Sequence, residues 1–200
     1  MAQLIMRFFY AFIFLFYVTT LQATNPGRYL KAYQVGDFAE GGVIFFLTPD
    51  GKHGLVASIK DISEGAQWGP VEYVGAFSNY IEFGENYTTA GKINTQLIVD
   101  NYPSSSYAAN LCKNYSVKMN GITYNDWYLP CLDELGLMMA MKETIDSISV
   151  AHGGTAIQKK FYWSSFEDSA VAAGLQSFDN ARQLPYSKGY KFPVRAVRAF

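Results

Sequence analysis

Residues Tyr124–Leu135 read "YNDWYLPCLDEL", and this stretch decides where the helical part of the chain meets its sheets. Leu129-Pro130 leads into a periodic apolar run, and proline suits a helix start because its missing N–H would be unpaired there anyway. Cys131 and Glu134 stand at the spacing of a capping box, with cysteine where serine or threonine is usual. Asp133 and Glu134 complement the dipole of the first turn. Leu135, Met138, Met139 and then Met141 or Ile145 follow at core-facing spacing, which predicts a helix over 132–147. The carboxylates Asp126, Asp133 and Glu134 invite a second reading as acid/base machinery. Neighbours at a helix start point apart, however, and a glycosidase needs two carboxyls about 5–10 Å apart across a sugar. The stretch is therefore read as a loop-to-helix brace with Trp127 buried.

Two further helices are expected upstream. "GKINTQLIVDNYP" (91–103) puts Ile93, Leu97 and Ile98 on one face and stops at Pro103, and "SSSYAANLCKNY" (104–115) offers serine caps before Tyr107, Ala108, Leu111 and Cys112. Before them, "GGVIFFL" (41–47) and "GLVASI" (54–59) flank the turn cluster "TPDGKHG" as a β-hairpin. Residues 60–89, rich in Gly, Asn, Tyr and Ser, read as irregular surface structure, where binding residues concentrate. The last third returns to strands. "KKFYWSSF" sets Phe161 and Trp163, the latter read as core, against Tyr162 and Ser164, "AAGLQSF" follows, and "FPVRAVRAF" is one strand with Val194 and Ala196 alternating against Arg195 and Arg198. The odd separation of the two arginines keeps them from both facing straight out unless a bulge intervenes, so one of them is expected to pair with a carboxylate. An antiparallel sheet with two to three helices grouped mid-chain is an α+β layout.

The first 23 residues carry Arg7, an apolar run from Phe8 to Val18 and Leu21-Gln22-Ala23. That is the pattern of a secretory signal peptide, and the run is short for a membrane span, which needs about 20 residues; an uncleaved anchor is the alternative. The expected organisation is a signal peptide over 1–23, a polar lead-in over 24–34 and one domain over 35–200, secreted or at the cell surface. Charge is uneven: residues 24–154 hold eight basic and fourteen acidic side chains, and 155–200 hold seven and three. Cys112 and Cys131, the two cysteines, are a disulfide candidate in an exported protein, worth roughly 3 kcal/mol for a loop of that size. The alternative is two buried thiols. With only His53 and His152 besides, no metal site is expected, and neither histidine has a nucleophile motif beside it.

"VGDFAEGGVIFFLTPDGKHGLVAS", "AQW", "YAANLC", "YNDWYLPCLDEL", "FYWSSFE" and "FPVRAVRAF" occur in the order found in the Lcl C-terminal domain family, which the chain resembles over about Val35 to Phe200. The family is the C-terminal domain of Legionella collagen-like adhesins and occurs in other exported bacterial proteins. The resemblance implies a C-type-lectin-like fold and adhesion through glycans or glycosaminoglycans. The chain departs from its relatives in lacking a Gly-x-y repeat, in its slightly acidic balance and in having no Glu-Pro-Asn or Gln-Pro-Asp tripeptide for calcium-dependent sugar binding.

These readings predict a non-enzymatic binding module that recognises a glycan or sulfated polysaccharide, forms a homo-oligomer, and uses no cofactor and no nucleic acid. The alternatives are a structural or assembly domain of the cell envelope and, third, an oxidase with a reactive cysteine pair. The candidate ligand residues are the loop aromatics Trp68, Tyr73, Tyr80 and Tyr87 beside Asn79, since aromatic faces next to amides suit sugar rings. The candidate cations are Lys159, Lys160, Lys188 and Lys191, with Arg182, Arg195 and Arg198 behind them. Ser164, Ser165 and Glu167 line a pocket or cap a turn.

Overall fold

Strand β1 (Phe38–Ala39) reverses through Glu40 and Gly41, both at positive φ (55° and 90°), into β2 (Gly42–Leu47), and β3 (Gly54–Ala57) pairs with β2 antiparallel. The expected hairpin is therefore present. The computed structural model describes residues 32–82 and 88–200, so the expected signal peptide over 1–23, most of the lead-in and Tyr87 lie outside the described residues. Residues Ala32–Phe200 form one compact unit. The stretch expected to be irregular contains β4 (Ser63–Gln67), then a long loop, then the short pair β5 (Ile81–Glu82) and β6 (Thr88–Thr89).

Helices α1 (Ala90–Asn101) and α2 (Ala108–Lys113) follow. Helix α1 buries Ala90, Gly91, Asn94, Thr95 and Ile98, while Leu97 is 38% exposed. The apolar face expected from Ile93, Leu97 and Ile98 is thus rotated, because polar bonds set the orientation. Asn94 Nδ2 donates to the Ser78 carbonyl (2.7 Å) and Ser165 Oγ (3.2 Å), and Thr95 Oγ1 accepts from the Leu129 N–H at 2.9 Å. Helix α2 has Tyr107 at its N-cap with no side-chain bond, so the expected serine cap is absent. Ser105 bonds Asn110 instead, at 2.6 Å.

Strands β7 (Val117–Met119) and β8 (Ile122–Tyr124) form a hairpin turned by Asn120 (φ 51°) and Gly121 (φ 83°), the residue pair that a tight two-residue turn favours. The helix expected over 132–147 is two, α3 (Leu132–Ala140) and α4 (Lys142–Ala151), broken at Met141 (φ −105°, ψ 13°). Leu135, Met138 and Ile145 are buried as the spacing requires, while Met139 and Met141 are half-buried. Among the described residues there are thus four α-helices, all within residues 90–151.

Strands β9 (Phe161–Glu167), β10 (Ala172–Ser177) and β11 (Gln183–Ser187) form an antiparallel sheet in the order β11-β10-β9. "FPVRAVRAF" is not one strand. Strand β12 (Lys191–Val194) pairs with β4, and β13 (Val197–Ala199) pairs with β3 as the edge of a sheet ordered β1-β2-β3-β13. The chain changes sheets at Arg195, whose guanidinium turns inward rather than out. It donates to the Ser58 carbonyl (2.7 Å), Asp61 Oδ1 (3.0 Å), Ser149 Oγ (3.3 Å) and the Thr155 carbonyl (3.1 Å), and is fully buried. Arg198 pairs with Glu40 (3.0 Å) and Asp126 and lies 4.8 Å over the Tyr124 ring. Trp68, Trp127 and Trp163 are all fully buried. The molecule is an α+β fold with its first and last strands joined in one sheet.

Candidate functional site

Glu167 ends β9 with its side chain fully buried, and a buried carboxylate needs hydrogen bonds and a cation. The loop after β4 supplies the bonds. The N–H groups of Val74 (2.8 Å), Gly75 (2.7 Å) and Ala76 (3.2 Å) all donate to the carboxylate, and the Glu167 N–H returns to the Ala76 carbonyl (2.8 Å). Gly75 sits at φ 93°, and glycine accepts that conformation without steric cost. Lys188 supplies the cation. Its ammonium donates to Glu167 Oε1 (2.5 Å) and the Glu72 carbonyl (2.6 Å), 4.7 Å from the centre of the Trp68 ring.

The far end of the loop is tied to the helices. Asn79 Nδ2 donates to Asp133 Oδ1 (3.0 Å) while Asn79 Oδ1 accepts from the Asp133 N–H (3.1 Å). The Ala90 N–H donates to the Tyr80 carbonyl (3.0 Å). With its backbone held along this length, the loop leaves Val71, Tyr73, Phe77 and Tyr80 exposed, Tyr73 at 68%. A recognition surface on a fixed backbone loses little entropy on binding.

Where the loop ends, Ile81 meets α3 in a groove of about 410 Å³. Its walls are Phe46, Ile81, Leu132, Gly136 and Leu137, and its polar positions are Asp133 and Gln183. Gly136 keeps the floor open, since a Cβ there would meet only Gln183 Nε2, at 3.8 Å. Gln183 Nε2 donates to the Leu132 carbonyl (3.0 Å) and Gln176 Oε1 (2.8 Å), which fixes the amide at the groove wall. Asp133, tied through Oδ1 to Asn79, adds a carboxylate to the lining. Apolar walls with a carboxylate and a fixed amide suit a ligand that has both a hydrophobic face and hydroxyl groups.

The sequence-predicted residues are scattered by this geometry. Trp68 is fully buried, with its indole N–H on the Ser164 carbonyl (2.8 Å), and is no ligand platform. Lys188 is core rather than surface, because Glu167 and the loop carbonyl need its charge. Tyr73 and Tyr80 are exposed as expected, and Tyr87 lies outside the described residues. Lys159 and Lys160 are exposed beside an acidic neighbourhood, where Gln158 bonds Glu64 (3.0 Å) and Asp61 (3.5 Å). Lys191 is exposed and lines a polar cleft with Ser63, Gln67 and Ser106. Lys188, Arg195 and Arg198 are spent on internal pairs, which leaves Lys159, Lys160, Arg182 and Lys191 as the exposed members of the expected basic set.

Cys112 and Cys131 are free, buried thiols, not a disulfide. Burial pushes both thiols up, helped at Cys131 by the Glu134 charge, so neither is a ready nucleophile. Glu134 points into the core, accepting from the Cys131 N–H (2.8 Å) and the Tyr128 hydroxyl (2.7 Å), while Asp133 faces out to Asn79. The two carboxylates diverge as their adjacency requires. His53 bonds the Phe200 carbonyl (3.2 Å) and His152 stacks on Phe38 (3.8 Å between centroids). Sequence reasoning missed the groove residues. Gly136 was the available signal, since a glycine inside a helix costs about 1 kcal/mol against alanine and so asks for a reason beyond helix propensity.

Fold and site together define an α+β module whose anchored loop offers one groove and one apolar face. No family model matches the sequence, and no curated protein matches it. Among solved structures, a fimbrial protein from Bacteroides ovatus ATCC 8483 is similar, with a TM-score of 0.51 and 15% identity over 72% of this chain and 35% of that one. The chain therefore spans about a third of that protein's length, and at this identity the likeness is one of fold.

Proposed function

We propose that the chain is an exported, non-catalytic recognition module of the bacterial surface that binds a neutral saccharide in the groove between the loop and α3. The observation that carries this reading is the groove itself, with apolar walls and the tethered polar groups of Asp133 and Gln183 in its lining. A pyranose ring offers one apolar face to such walls and hydroxyl groups, both donors and acceptors, to such a carboxylate and amide. The N-terminal stretch and the fimbrial character of the similar fold support a place outside the cytoplasm. The resemblance to the Lcl C-terminal domain, and with it a C-type-lectin-like classification, fits the same role. A sulfated polysaccharide is the weaker ligand here, because internal pairing consumes three of the basic side chains that would hold it.

A glycan array run at two salt concentrations tests this, with Gly136→Phe as the blocking variant. The expected result is binding of neutral glycans that changes less than twofold with salt and is lost in Gly136→Phe. Binding only to sulfated glycans, falling steeply with salt, would replace this reading with a polyanion one. No glycan binding by the wild type would leave an assembly role as the surviving alternative.

A further inference from the structure

The exposed apolar side chains of the loop do not stand alone. Lys188, just after β11, stitches the loop to the start of β10 and the end of β4: its Nζ donates to the Glu72 carbonyl, its N–H to the Val171 carbonyl (3.0 Å), and its carbonyl accepts from the Trp68 N–H (3.1 Å). Val71 and Tyr73 flank Glu72, and Tyr186 and Tyr190 flank Lys188, so the two sets of side chains emerge on neighbouring segments. Val71 is 63%, Tyr73 68%, Val171 55% and Tyr190 59% exposed, with Phe77 and Tyr186 at 40% or more. Tyr186 packs edge-on against Tyr190 (5.0 Å) and Phe192 (5.3 Å), and Phe192 in turn against buried Trp163 (5.0 Å), which fixes the aromatic edge to the core.

We propose that this face is a homotypic interface, on which a second copy of the chain docks by a two-fold axis. Three features select that occupant. The six side chains expose roughly 600 Å² of largely apolar surface, at the upper end of what monomers leave uncovered and near the roughly 800 Å² per partner of a stable interface. The charged pair within the face, Glu167–Lys188, is buried and internally neutralised, so two such faces meet without like-charge conflict. The rims are complementary under a two-fold, because the loop half carries exposed Glu72, whose carboxylate accepts from the Tyr102 hydroxyl with one oxygen, and the strand half carries exposed Lys191. In an isologous contact each half meets the other half of its partner, which sets Glu72 against Lys191 of the second copy twice. This goes beyond the saccharide reading, and the residues it uses are not those of the groove.

Sedimentation equilibrium of the purified protein from micromolar to submillimolar concentration is the test. A monomer–dimer equilibrium is expected, weakened at least tenfold in Tyr73→Ser/Tyr190→Ser, with circular dichroism confirming that the variant stays folded. Glu72→Lys and Lys191→Glu should each weaken self-association, and mixing the two variants should restore a heterodimer, an outcome no intramolecular effect reproduces. Gly136→Phe should leave the dimer unchanged, which separates this interface from glycan binding. A wild type that stays monomeric throughout, a dimer indifferent to the tyrosine substitutions, or a mixture that fails to reassociate would each overturn the proposal.

Discussion

Glu167 is worth more to this fold than half of an ion pair, because it also satisfies three loop N–H groups. Removing one partner of a buried pair typically costs about 3–5 kcal/mol, and replacing both by apolar residues often restores stability. Here the second part should fail. Glu167→Leu/Lys188→Met orphans those N–H groups, so urea unfolding should place the double variant at least about 3 kcal/mol below wild type; recovery to wild-type stability would show that the N–H groups matter little. Glu134 makes a different prediction. Burial lifts its carboxyl from the ordinary 4.5 to about 7, against the bonds from Cys131 and Tyr128. The fold thus holds this proton more tightly than the unfolded chain does. The associated stability is fully present below about pH 4.5 and is lost as pH rises through 7, a change of about 3 kcal/mol. Unfolding Glu134→Gln at pH 4.5 and 7.5 should show that much less loss than wild type; equal slopes in both proteins would remove the claim. The buried thiols give a third test. A maleimide should label Cys112 and Cys131 only in denaturant, and dithiothreitol should not move Tm.

At the scale of elements, helix α1 shows polar bonds overruling hydrophobic periodicity. Leu97→Gln should change stability by less than about 0.5 kcal/mol, since Leu97 faces solvent. Asn94→Leu, which looks conservative on a helical wheel, should cost about 2–4 kcal/mol by stranding the Ser78 carbonyl and N–H. Chemical denaturation of the two variants decides between the faces. The existence of α1, α2, the 41–59 hairpin and the strands β9 and β10 was legible from period and turn residues, because those are local signals. The rotation of α1, the break at Met141 and the split of "FPVRAVRAF" were not. Each depends on a partner distant in sequence: Ser165 and Leu129 for α1, Ser58 and Asp61 for Arg195.

Within the unit Ala32–Phe200, strand β13 pairs with β3, and Arg195 and Arg198 beside it reach Asp61 and the "YNDW" turn, so β13 is tied to segments far away in sequence. Arg195→Met leaves Asp61 without its cation in a buried setting, and thermal unfolding should register a loss of about 3–5 kcal/mol. The sequence by itself determined an α+β chain with its helices in the middle, the brace role of "YNDWYLPCLDEL" and the burial of Trp127 and Trp163, since propensity, capping and pattern act within a few residues of one another. Tertiary structure alone decided which charges face solvent. The lysine of "YSKGYK" (186–191) reads as surface, until Glu167, brought in from elsewhere in the chain, supplies a buried partner for its charge. Of Arg195 and Arg198 one is expected to pair with a carboxylate, and the tertiary structure pairs both, Arg195 in full burial. It also decided the site, because the groove and the apolar face are made by side chains that converge only once Lys188 and Asn79 pin the loop to the sheet and to α3.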